Sequence, residues 1–173
     1  LADLQDLGLT DLTQNTGKLP TRWNEWRPSG GLNWHGYNQF IDYQSSDWSS
    51  KWWGPDWVRA GLPGYPQPGT DDVTGSVAGL PDFLTESTKS VGLPPLLAAK
   101  QDTKARALPN ATVSDYLIAW HTDWVRRFGI DGFRADTVKH LEPAVWAKLK
   151  QAGTTALKEW KAANPGKALD DLP

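Results

Sequence analysis

Hydrophobic and polar positions divide the chain into stretches of different grammar. Residues 1–20 carry Leu at positions 1, 4, 7, 9 and 12, a partly helical spacing that Gly8 interrupts, so a short helix or loop is predicted there. From Thr21 to about Pro95 no periodic segment occurs, and Gly and Pro punctuate the chain, as at Pro28, Gly30, Gly54, Pro55, Gly61 and Pro63. A run that long without regular elements predicts a compact, irregular subdomain with functional work to do.

Periodicity returns after it. Tyr116, Leu117, Trp120, Trp124 and Val125 recur at helical spacing and predict a helix over Asp115 to Arg127, capped by Ser114 and closed by Phe128-Gly129. Ile130 to Thr137 is short, follows that Gly and predicts a strand. A second helix is predicted from about Pro143 to Ala163, with Val145, Trp146, Leu149, Leu157 and Trp160 on its apolar side and Pro165-Gly166 ending it. Helix, strand, helix is the order of an α/β protein with a parallel sheet.

Composition narrows the classes. The chain has 173 residues, 39% of them hydrophobic and 22% charged, with a net charge of -2, which fits an ordinary folded protein and gives no electrostatic reason to expect nucleic acid or an anionic membrane as partner. No apolar run is long enough for a membrane span, no signal-peptide pattern occurs, and the absence of Cys excludes disulfides. Of 11 Trp, seven fall at positions 23, 26, 34, 48, 52, 53 and 57. Two readings of that cluster are open: indole rings stack on sugar faces, and they also supply a core where aliphatic residues are scarce.

The predicted strand carries the candidate chemistry. With a period of two, Gly132, Arg134 and Asp136 share one face and Phe133 and Ala135 the other. A charged pair turned into a sheet or barrel interior reads as a site, because unpaired charges are expensive to bury. A solvated Arg/Asp pair on an edge strand is the competing reading of the same residue types.

Asp131-Gly-Phe-Arg-Ala-Asp-Thr-Val-Lys-His140 resembles the fourth-strand signature of the α-amylase family of glycoside hydrolases. Leu80-Pro81-Asp82-Phe83 is similar to a second short motif of that family, in the domain inserted after the third strand. The motif order and the single intervening helix agree with it. The Trp-rich segment, Leu80–Thr88, Ala162–Pro165 and Lys167–Asp171 extend the resemblance along nearly the whole chain. Phe83 stands where many members have Leu, a departure that leaves the neighbouring carboxylate in place.

The resemblance implies an α/β fold that is a fragment of a (β/α)8 TIM barrel. Residues 1–95 would be the irregular inserted subdomain (domain B) between barrel strand 3 and helix 3, and 96–173 would supply helix 3, strand 4 and helix 4. It implies hydrolysis of α-1,4-glucans such as starch and maltodextrins with retention, Asp136 being the nucleophile and Arg134 holding it ionised and oriented. Lys139 and His140 would bind substrate on the leaving-group side. Asp82 and the backbone carbonyl of His140 would be ligands of a structural calcium, although Asp82 after Pro81 also suits a plain turn.

The family's acid/base Glu, third carboxylate and third-strand motif have no counterpart here, so the piece alone is expected to be inactive and to need the remainder of the barrel as partner. Periplasmic or secreted location is likewise implied only by resemblance. Within the same fold a transglycosylase, and outside catalysis a carbohydrate-binding relative, are the alternatives.

Overall fold

A computed structural model describes residues 4, 6–10 and 41–167. Among them the helices are α1 (Trp48–Lys51), α2 (Pro95–Ala99), α3 (Val113–Phe128) and α4 (Pro143–Ala163), with 3-10 turns at Gln101–Thr103 and Val138–His140. The strands are β1 (Val58–Arg59) and β2 (Asp82–Phe83), paired antiparallel with Val58 opposite Phe83 and Arg59 opposite Asp82. Of the stretch predicted to be irregular, residues 21–40 lie outside the described residues, and the part between residue 41 and α2 folds through turns rather than long elements.

Aromatic residues make its core. Trp48, Trp57, Val58, Ala60 and Tyr65 are buried together with Leu9, and the first half of α3 completes the cluster with Val113 and Tyr116. The Trp57 and Trp120 rings stack at 5.7 Å, and Trp53 meets Phe83 edge to face at 4.9 Å. The polar atoms that go inside with these rings are satisfied. Trp57 Nε1 donates to the Gly92 carbonyl at 3.0 Å and Trp48 Nε1 to Asp42 at 2.7 Å. The Tyr65 hydroxyl donates to the Trp48 carbonyl, and burial raises its pKa. Trp48, Trp52, Trp53 and Trp57 thus take the core role; Trp23, Trp26 and Trp34 lie outside the described residues.

The cap of α3 lies two residues earlier than predicted. Thr112 is the N-cap, its hydroxyl accepting from Asp115 N while the Asp115 carboxylate accepts from Thr112 N, a reciprocal capping box. Ser114, the expected cap, is buried in the first turn. The helix ends at Gly129, whose φ of +66° is left-handed, and a side chain there would overlap the Trp160 indole of α4. Trp124, expected on the apolar side, is 57% exposed and packs on Phe128. α4 has the predicted ends, with Pro143 in its first turn. It packs on α3 through a second, smaller core of Val125, Ala156 and Leu157, flanked by Ile130 and Trp160.

The predicted strand over Ile130 to Thr137 does not form. These residues run without regular secondary structure from the end of α3 to the 3-10 turn at Val138. Strand geometry is held by ladder hydrogen bonds to neighbours, and among the described residues no strand lies beside this segment. Among the described residues the one strand pair is antiparallel and belongs to the irregular part, so the expected parallel sheet is not among them.

Candidate active site

Two segments far apart in sequence meet across one open cavity of about 390 Å³. Leu80, Asp82 and Thr85 line one side, and Asp136, His140 and Trp146 the other. β2 and its pairing with β1 position the first group, while the 3-10 turn and the start of α4 position the second. Trp146 is held by its Nε1, which donates to the Val138 carbonyl at 3.1 Å.

The candidate residues differ in their surroundings. Asp136 is exposed, and its Oδ1 accepts from the backbone N of Thr137 at 2.8 Å. Thr137 has φ of +51°, a left-handed conformation that a β-branched residue rarely adopts. Strain of that kind collects at functional sites. Arg134 is exposed as well, and no hydrogen bond or ion pair joins it to Asp136 among the described residues. The charged pair expected to face an interior is exposed instead, and among the described residues no sheet covers residues 130–137. Lys139 is exposed and His140 half-buried, and both engage Asp72: Lys139 Nζ meets its carboxylate at 2.8 Å and His140 Nδ1 its carbonyl.

Asp82 is half-buried. Its carboxylate accepts from Arg59 at 2.6 Å, and Arg59, only 8% exposed, also pairs with Glu86. Burial raises the Asp82 pKa by more than the guanidinium lowers it. Thr85 Oγ1 donates to Glu142 at 2.9 Å, tying β2 to the start of α4, while the other Glu142 oxygen is buried without a partner. A calcium ion takes six to eight oxygens. No group of three or more His, Asp or Glu among the described residues is arranged to hold a metal. With Arg59 already on the Asp82 carboxylate, the described side-chain carboxylates do not by themselves make a calcium site.

Sequence reasoning missed Asp72, Arg59 and Trp146 as parts of this neighbourhood. Trp146 was legible only as an apolar helix position. Asp72 and Arg59 sit in the irregular stretch, where no periodicity signals what they will meet.

Comparison with known proteins bears on the whole chain. It is 46% identical along its full length to the periplasmic alpha-amylase of Escherichia coli (strain K12). The chain is similar to this α-amylase over its own whole length. It spans 26% of that protein's length, so the likeness covers about a quarter of the α-amylase. No family model matches the chain. Among the described residues no helix is long and apolar enough to cross a membrane.

Proposed function

We propose that the chain is part of a retaining α-1,4-glucan hydrolase acting on starch and maltodextrins, with Asp136 as its nucleophile. One observation carries the reading: the segment around Asp82 and the segment around Asp136 and His140, each resembling an α-amylase motif, form the two sides of a single cavity. Identity of 46% to a periplasmic α-amylase over the whole chain length supports it, and the same relative supports a periplasmic location.

In the proposed reaction an Asp136 carboxylate oxygen attacks the anomeric carbon as the bond to the leaving-group oxygen breaks, giving a glycosyl ester. A second carboxyl group about 5 Å away protonates that oxygen and later activates water. We assign that role to a Glu outside this chain, so the chain alone is expected to be inactive. Arg134 orients the Asp136 carboxylate once the remaining barrel encloses both. Lys139 and His140 take the leaving-group sugars by donating and accepting hydrogen bonds.

The solvent exposure of Arg134 and Asp136 favours a second reading, a non-catalytic carbohydrate-binding relative. Asp136→Asn in the complete protein decides between them. The hydrolase reading expects loss of turnover on maltodextrins by about a thousandfold or more with oligosaccharide binding kept. Unchanged turnover, or none in the parent, refutes it. Predominant transfer products from the parent would instead identify a transglycosylase.

A further inference from the structure

The loop from Gly69 to Gly75 is a built structure. Asp71 Oδ1 accepts from the backbone N of Val73 and of Thr74 at 2.9 and 2.8 Å, and its Oδ2 accepts from the Thr74 hydroxyl at 2.6 Å. Gly69 N donates to the Thr74 carbonyl at 2.7 Å and Gly75 N to that of Asp71 at 2.9 Å, closing the turn at both ends. A side chain at Gly69 would overlap Thr74, so the ends approach this closely only with glycine there.

Asp72 lies within this turn and meets the two residues that the proposed function assigns to leaving-group sugars. Its carboxylate holds Lys139 Nζ at 2.8 Å, and that contact keeps the Asp72 carboxyl below its ordinary pKa. Its carbonyl faces His140 Nδ1. A carbonyl only accepts, so Nδ1 carries the hydrogen. In the neutral ring Nε2 is then an acceptor, and His140 lines the cavity. An ammonium has three donors, so Lys139 keeps two after pairing with Asp72.

We infer that Asp72 is a positioning residue for glucan binding. The Gly69–Gly75 loop clasps Lys139 and His140 through it, fixing His140 as an acceptor for a sugar hydroxyl and Lys139 as a donor beside it. This rests on the reading given under Proposed function. The clasp acts on binding rather than on bond cleavage, since neither Asp72 contact involves Asp136.

The test is a kinetic and binding comparison in the complete protein with maltoheptaose. Asp72→Ala raises KM about threefold to fivefold, the scale of one exposed ion pair, while kcat moves less than about twofold. Asp72→Glu restores most of the loss, and Asp71→Ala, which loosens the turn without touching Lys139, raises KM in the same direction. In a Lys139→Ala background Asp72→Ala adds less than it does alone.

An unchanged KM in Asp72→Ala, a loss confined to kcat, or effects of Asp72→Ala and Lys139→Ala that multiply fully would overturn the clasp. Equilibrium binding of maltoheptaose to Asp136→Asn, with and without Asp72→Ala, separates the two claims. Weaker binding only when Asp72 is replaced supports the clasp even if Asp136→Asn keeps its turnover and the hydrolase reading fails.

Discussion

Replacing Arg59 with Met is expected to destabilise the protein far more than replacing its partner Asp82 with Asn. Arg59 is 8% exposed and bridges Asp82 and Glu86. Its removal leaves the half-buried Asp82 carboxylate without a countercharge. Breaking a buried pair in this way costs about 3–5 kcal/mol. The Asp82 and Glu86 side chains retain 19% and 36% exposure, so water recovers part of the loss and about 2 kcal/mol is the expected value. Asp82→Asn is different in kind. Burial already raises the Asp82 pKa, meaning that the fold tolerates the uncharged form better than water does. Asn keeps an oxygen for Arg59, which retains Glu86, so a cost under about 1 kcal/mol is expected. Urea unfolding followed by Trp fluorescence reads the difference, since Trp53 packs on Phe83 beside the pair. With a urea m value of about 2 kcal/mol/M, Arg59→Met lowers the midpoint by about 1 M. An unchanged midpoint, or an equal fall in Asp82→Asn, refutes the reasoning.

Other expectations follow from single contacts. Thr112→Ala removes the α3 cap and costs about 1 kcal/mol in the same urea assay. The Thr112 backbone N–H lowers the Asp115 pKa, so this contribution is present above the unfolded carboxylate pKa and is lost as pH falls through the lower folded one. Unfolding titrations below the ordinary carboxylate range should therefore show a smaller acid-induced loss in Asp115→Asn than in the parent. Gly129→Ala combines a left-handed φ with overlap on Trp160 and should lower the melting temperature by about 5 °C or more.

Legibility in the sequence followed how local each cause was. α4 was readable to both ends because Pro143 suits a first helical position and Pro165-Gly166 stops the helix. α3 was readable by its period, and its cap was missed because Thr112 and Ser114 are both good caps. The deciding feature was Asp115 three residues after Thr112. Ile130 to Thr137 has strand composition, yet a strand depends on neighbours that no local pattern supplies. The Trp cluster revealed burial only through its partners, such as Trp120 and Phe83. The motif residues of the site were visible, whereas Asp72 reaches Lys139 from 67 positions away, a meeting that loop residues do not announce.

In the proposed mechanism Asp136 bonds covalently to sugar. Incubating the complete protein with a 5-fluoro-α-glucosyl fluoride replaces the leaving group by fluoride and slows hydrolysis of the ester, so the glycosyl-enzyme accumulates. Trypsin cuts after Arg134 and Lys139, releasing Ala135 to Lys139, in which Asp136 is the sole side-chain carboxylate. Mass spectrometry should find that peptide heavier by one fluoroglucosyl group and unlabelled in Asp136→Asn. A label on a different peptide, or none while the substrate is consumed, contradicts the account.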